Sequence, residues 1–308
     1  MAKRSNDDPA PGIVLVDKPA GWTSHDVVAR MRRLANTRKV GHAGTLDPMA
    51  TGLLVLGIGK ATKLLTYVVG HDKTYTATMR LGQNTVTDDA EGDVVTTTDA
   101  SAVTQADIAS AVANLTGDIQ QAPSAVSAIK INGERAYKRV RDGEDVEIPA
   151  RPVTVHEFTI TGARRVDAFI ELDVRVDVSS GTYVRALARD LGAALGVGGH
   201  LTALRRINVG DFEVADAMTL EQLEAIVDAG GEVPRLGLGA AGADILPVRA
   251  LSEREARTLG FGQHFKDTTD FVYDGPLAGI GPDGDLIAVV RQVDGQVKSE
   301  IVFKPSQS

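Results

Sequence analysis

The chain has 308 residues, 43% of them hydrophobic, enough for one large domain and a smaller one. It contains no cysteine, which excludes disulfides, thiolate metal sites and cysteine nucleophiles, and which agrees with a reducing, cytoplasmic setting. The formal charge of −8 is unevenly spread: residues 1–80 carry 12 Lys/Arg against 6 Asp/Glu, and the remainder 21 against 35. A charged ligand responds to the local potential within about a Debye length, ~8 Å, so an acidic total does not exclude a basic face near the N-terminus that attracts phosphates.

Residues 1–11 are polar, with no apolar segment of the kind a secretory signal needs, and no apolar run reaches the roughly 18 residues that span a bilayer. A short apolar run, Ile13 to Val16, precedes Lys18-Pro19. Thr23 and Asp26 then form a capping box opening a helix whose buried stripe is Val27, Val28, Met31 and Leu34, with arginines late in the helix, where positive charge suits the dipole. Next comes Gly41-His42-Ala43-Gly44-Thr45-Leu46-Asp47-Pro48-Met49-Ala50-Thr51-Gly52, a glycine-rich loop that presents one carboxylate, Asp47. Pro48 disfavours helical backbone at Asp47. The residues alone leave two readings of Asp47: a cap for a helix suggested by the apolar run after Pro48, or a carboxylate held for chemistry.

Further along, Leu53 to Ile58 reads as a buried apolar segment, and Thr74 to Leu81 alternates as a strand with Tyr75, Ala77, Met79 and Leu81 on one face. Asp88 to Asp99 is acidic and turn-rich, and Thr104 to Leu115 has a helical pattern. Pro123 to Ile148 is more irregular and carries Lys130, Arg135, Lys138, Arg139 and Arg141 beside Tyr137. Phe169 to Val178 is the clearest strand, and Ser179-Ser180-Gly181 turns from it into a helix over about Tyr183 to Leu195. Thr219 with Gln222 caps another helix. Ala229 to Ala243, rich in Gly and Ala and without periodicity, reads as a linker. The tail has a short helix from Ser252 and then strand-like runs turned at Pro282-Asp283-Gly284 and Asp294-Gly295, as in a small β-barrel.

The Asp47 loop resembles the catalytic motif of the TruB family of tRNA pseudouridine synthases, which isomerise uridine 55 in the T loop of tRNA. Asp17-Lys18-Pro19-Ala20-Gly21-Trp22-Thr23-Ser24, Asp72-Lys73-Thr74-Tyr75, Arg80-Leu81-Gly82-Gln83 and Ser180-Gly181-Thr182-Tyr183-Val184-Arg185 agree in order and spacing. The resemblance runs from about Gly12 to Leu220 and continues more weakly to the C-terminus. It implies an α+β fold around a mixed, largely antiparallel sheet flanked by helices. A catalytic domain would cover 10–240, with an RNA-gripping insertion at about 122–150 that includes Lys130. A PUA-like RNA-binding β domain would cover 244–308, a label resting mainly on position.

It also implies roles. Asp47 would be the nucleophile or base, Tyr75 would stack on the uracil, and Arg185 would pair with the catalytic aspartate and keep it ionised. His42 would help extrude the target nucleotide, and Leu204 would line the uracil pocket. Lys18 and Pro19 would support the pocket floor, with Lys18 holding backbone rather than catalysing. Tyr183, Asp89 and Lys130 would contact substrate, although Val86 near Asp89 departs from the family pattern. The isomerisation consumes no redox equivalent, so no cofactor or metal is expected. The expected partner is tRNA through its T stem-loop, with no membrane and no obligatory protein partner for a cytoplasmic monomer.

Rival readings fit less well. Gly57-Ile58-Gly59-Lys60-Ala61-Thr62 resembles part of a phosphate loop, but Leu54 and Ala61 break the required pattern. A glycosidase needs two committed carboxylates, and only Asp47 has a distinctive setting. A non-catalytic RNA-binding or tRNA-folding protein explains the basic region but gives no reason for Asp47 and Arg185 together.

Overall fold

A computed structural model describes residues 9–124, 149–269 and 273–304, together with the backbone of two short paired strands, Lys130–Ile131 and Glu134–Arg135. The chain forms two compact units. The first is Met1–Pro48, Gly52–Gly70 and Gly210–Ser308; the second is Met49–Thr51 and His71–Val209.

In the first unit, strand Gly12–Lys18 runs antiparallel to strand Thr51–Ile58, in register from Gly12 opposite Ile58 to Lys18 opposite Gly52. Strand Val40–Ala43 pairs with the same partner, Val40 opposite Ile58. The apolar segment at Leu53 to Ile58 is thus a strand, and a fully buried one. At the other edge of Gly12–Lys18, Leu236–Gly237 pairs antiparallel and Met218–Thr219 parallel, which makes the sheet mixed. Helix Ser24–Leu34 starts at the predicted capping box of Thr23 and Asp26, and helix Leu220–Asp228 at that of Thr219 and Gln222. Val27, Val28 and Met31 of one helix and Leu220 and Leu223 of the other pack with Val14, Val16, Leu54, Leu56 and Ile58 in one core. Each such side chain contributes about 1.5–3 kcal/mol when fully buried. Arg30 and Glu224 join the two helices at the surface, so part of the basic cluster is occupied by a structural ion pair.

The tail forms a sheet in the order Val248–Ala250, Leu277–Ile280, Leu286–Val293, Gln296–Val302, Phe265–Lys266, parallel in the first pair and antiparallel in the rest. Leu251, Leu259, Leu277, Ile287, Val290 and Val297 fill its core. Asp294 (φ 54°) and Gly295 (φ 68°) make the tight hairpin turn, which needs left-handed backbone at both residues.

The expected linker is corrected. Within it, Leu236–Gly237 pairs with the first strand, and Leu238–Ile245 is a helix whose Gly242 lies against Leu286 and Ala278. Alanine is the strongest helix former, but this helix is short and has no side-chain cap, so neither periodicity nor a capping signal marks it. The tail is also tied to the N-terminal part of its unit: Lys60 Nζ donates to Phe303 O at 3.1 Å and Tyr67 Oη to Glu300 Oε2 at 2.9 Å.

The second unit carries an antiparallel sheet in the order Gly199–Val209, Lys73–Leu81, Phe169–Val178, Arg151–Val166, Gly117–Gln121. Phe169–Val178 alternates buried and half-buried residues along its whole length, as its sequence requires. Helix Gln105–Asn114 begins at Thr104, and helix Val184–Ala194 lies between Tyr183 and Leu195 as cap residues. The architecture is α+β, with largely antiparallel sheets and a small β-rich tail. Among the described residues no helix is long and apolar enough to cross a membrane.

Candidate active site

Asp47 sits half-buried in the loop between strands Val40–Ala43 and Thr51–Ile58. A turn and then a strand follow Pro48, so there is no helix for Asp47 to cap. Gly44 at φ 79° supplies the left-handed residue that bends the chain into this loop.

Both neighbours of Asp47 are held from the segment Lys18–Ser24. On one side, the Ser24 hydroxyl accepts from Leu46 N at 2.9 Å and lies 3.2 Å from Leu46 O. On the other, Pro48 O accepts from Gly21 N at 2.8 Å and from Lys18 Nζ at 3.3 Å. The fully buried Lys18 also donates to Trp22 O at 2.6 Å and Pro19 O at 2.9 Å, so its three N–H groups meet three carbonyls. The residues alone marked neither Gly21 nor Ser24 as an anchor of this loop. His42 lies opposite Leu56 in the sheet and meets the His25 ring edge-on, with centroids 5.6 Å apart.

The other expected residues belong to the second unit. Tyr75 is 8% exposed on the central strand Lys73–Leu81, directly opposite Val176 and Arg206. Leu204 is opposite Ala77, which puts it on the same sheet face as Tyr75. That face also carries Lys73 and Arg206, both buried. Burial first, and then the charge of Arg206, hold the Lys73 ammonium down to about 8, with Asp72 opposing. The residues alone did not mark the strand of Arg206, whose register is irregular between Leu201 and Ala203 and between Arg206 and Asn208.

Arg185, in the first turn of helix Val184–Ala194, is buried. Its Nη1 donates to Thr87 O at 2.8 Å and pairs with Asp89 Oδ2 at 3.3 Å. Asp89 is equally enclosed: Oδ1 accepts from the Thr87 hydroxyl at 2.5 Å and from Glu91 N at 3.0 Å. Asp89 is thus a carboxylate partner of Arg185 within this unit, a relation its sequence neighbourhood did not suggest. One turn on, Arg189 pairs with Asp88 at 3.3 Å and with Asp190 at 2.8 Å. Burial pushes both carboxyls up from their ordinary range, and Arg189 opposes the shift in each. Tyr183 is fixed through its backbone by Gln121, whose side chain accepts from Tyr183 N at 2.8 Å and donates to Tyr183 O at 3.2 Å. The side chain of Lys130, like most of the expected insertion, lies outside the described residues.

Lys18, Pro19, His42 and Asp47 therefore belong to the first unit, and Tyr75, Asp89, Tyr183, Arg185 and Leu204 to the second. Among the described residues no three His, Asp or Glu side chains gather as a metal site would require. Asp47 combines a carboxylate, partial exposure and a backbone fixed on both sides, which suits a nucleophile or base that must not wander.

Residues 32–184 match the family model for the TruB family pseudouridylate synthase N-terminal domain. Residues 185–233 match the tRNA pseudouridylate synthase B C-terminal domain, and residues 246–304 the C-terminal domain of tRNA pseudouridine synthase II. A relative from Arthrobacter sp. (strain FB24), tRNA pseudouridine synthase B, is 58% identical over 96% of this chain and 97% of its own. A relative of the same name from Thermobifida fusca (strain YX) is 53% identical over 96% of this chain and 100% of its own. Among solved structures, a Cbf5–Nop10–Gar1 complex aligns with a TM-score of 0.73 at 24% identity, over 99% of this chain and 92% of the other. An H/ACA RNP bound to a substrate RNA containing 2′-deoxyuridine aligns with a TM-score of 0.72 at 23% identity, over 96% and 85%. The fold is that of the pseudouridine synthases, with a PUA-like C-terminal domain. At 58% identity across nearly its full length, the chain belongs to the TruB family of tRNA pseudouridine synthases, enzymes of the isomerase class.

Proposed function

We propose that this chain converts uridine 55 in the T loop of tRNA to pseudouridine without a cofactor, with Asp47 as the catalytic carboxylate. The observation that carries the reading is the setting of Asp47: no helix to cap, partial exposure, and both backbone neighbours bonded to Lys18–Ser24. The reaction breaks the bond from ribose C1′ to N1 and forms one from C1′ to C5. N1 gains a proton and C5 loses one, so atoms and charge balance. Asp47 supplies the carboxylate that starts the exchange, Tyr75 stacks on the uracil, and Arg185 favours the ionised aspartate, as the family motifs imply. Leu204 lines the uracil pocket, His42 assists extrusion of the base, and the C-terminal β domain, 244–308, adds affinity for the tRNA. Tyr183, Asp89 and Lys130 contribute to substrate binding. The substrate places the enzyme in the cytoplasm, where it works as a monomer.

The test uses an unmodified tRNA transcript, with pseudouridine mapped by carbodiimide primer extension. Asp47→Asn removes the charge and keeps the size, and RNA affinity comes mostly from cations on phosphates, so binding should stay within about threefold while product vanishes. Binding without product from the unsubstituted protein would favour the tRNA-folding alternative. Appreciable turnover by Asp47→Asn would overturn the role given to Asp47.

A further inference from the structure

Ser24 is the first residue of helix Ser24–Leu34, yet its hydroxyl does nothing for that helix, because Thr23 already caps it by accepting from Asp26 N at 3.1 Å. Instead the hydroxyl, 1% exposed as a residue, serves one remote residue: it accepts from Leu46 N at 2.9 Å and donates to Leu46 O at 3.2 Å. A single hydroxyl thus engages both backbone polar groups of Leu46, its N–H and its C=O. Leu46 is the residue immediately before Asp47. On the far side the ring of Pro48 locks its own φ, and its carbonyl is held by Gly21 and Lys18.

We infer that Ser24 is a positioning residue for Asp47, fixing the Leu46–Asp47 peptide so that the carboxylate is delivered in one direction. The inference rests on the reading of Asp47 as the catalytic carboxylate. Without the hydroxyl, the peptide plane before Asp47 loses its tether while the clamp at Pro48 remains. Ser24 carries no charge, so its substitution removes no cation from the protein. Reacting groups tolerate little misplacement, since about 1 Å can cost on the order of 100-fold in rate.

The experiment measures single-turnover rate at saturating protein, tRNA affinity and thermal midpoint for Ser24→Ala, Ser24→Cys and Asp47→Asn beside the unsubstituted protein. Ser24→Ala should lower the single-turnover rate about 10- to 100-fold and leave tRNA affinity within about threefold. A merely structural role would lower the thermal midpoint but leave the rate of the folded, saturated protein unchanged. A rate within about twofold of the unsubstituted protein, with Asp47→Asn inactive, overturns the role of Ser24 alone. An active Asp47→Asn protein withdraws the reading of Asp47, and this inference with it. Cysteine keeps the shape of serine with a somewhat larger atom that is a weaker donor and acceptor, so Ser24→Cys decides by the same two outcomes if the alanine variant does not fold.

Discussion

Replacing Lys18 by Met keeps most of the aliphatic stem in place and removes only the ammonium, which makes Lys18→Met a clean probe of the clamp beneath the Asp47 loop. Three carbonyls receive Lys18 Nζ: Trp22 at 2.6 Å, Pro19 at 2.9 Å and Pro48 at 3.3 Å. Pro48 O retains its bond from Gly21 N at 2.8 Å, so the substitution deprives chiefly Trp22 and Pro19. A hydrogen bond to a charged group contributes about 1.5–3 kcal/mol, and two are lost outright. Against that, the fold no longer has to keep an ammonium out of water, which returns part of the loss. The net cost is about 2–4 kcal/mol, or roughly 3–6 °C in Tm for a chain of this size. Scanning calorimetry measures the shift, and single-turnover assays should show slower product formation, because Pro48 adjoins Asp47. A Tm within about 2 °C of the unsubstituted protein would show that desolvation cancels the three bonds and would refute the clamp as a source of stability.

Two other outcomes follow from the packing and the charges. Removing residues 246–308 strips the partners from helix Leu238–Ile245, where Ala241, Gly242 and Ile245 are buried, and breaks the Lys60 to Phe303 and Tyr67 to Glu300 bonds; the remaining chain should melt at least several degrees lower, and an unchanged Tm would mean that the tail is an independent appendage. The folded-state value of Lys73 is held down to about 8 by burial and by Arg206, while the unfolded chain keeps its proton up to the ordinary 10.5, so stability should rise with pH across that interval and the buried charge should weigh fully on the fold below it. Lys73→Met should flatten this rise in denaturant midpoints measured between about pH 7 and pH 10, and an equally steep rise in the variant would assign the effect to other groups.

What could be read from the residues was whatever short-range chemistry decides. The capping boxes at Thr23 with Asp26 and at Thr219 with Gln222 span three residues each, and both open helices where expected. The alternation of Phe169–Val178 and the Asp294-Gly295 turn are equally local. Partners far apart in the chain were not legible. Arg185 meets Asp89 across 96 positions, and Tyr183 meets Gln121 across 62, with no local pattern marking either pair. Helix Leu238–Ile245 was hidden for the opposite reason: its only local signal is composition, and its stability comes from packing against the tail sheet. Asp47 was legible as a residue of interest but not as to its use, because a cap and a nucleophile can look alike in sequence. The strand after Pro48 removes the cap.

The residues that hold Asp47 clarify why two sequence segments of different character form one device. In Lys18–Ser24, the Lys18 ammonium is engaged by backbone carbonyls and the Ser24 hydroxyl by Leu46. This segment fixes residues 46 and 48 and thereby sets where the carboxylate between them can point. Rigid support of this kind acts on the geometry of the reacting group and not on the affinity for a large polyanion, which depends on many separate cations. Substitutions at Lys18, Gly21 or Ser24 should therefore slow the bound reaction while tRNA still binds, whereas loss of surface arginines should weaken binding and leave the bound rate intact. A Ser24 or Lys18 variant that lost tRNA affinity in proportion to its turnover would place this segment at the RNA surface instead of beneath the carboxylate.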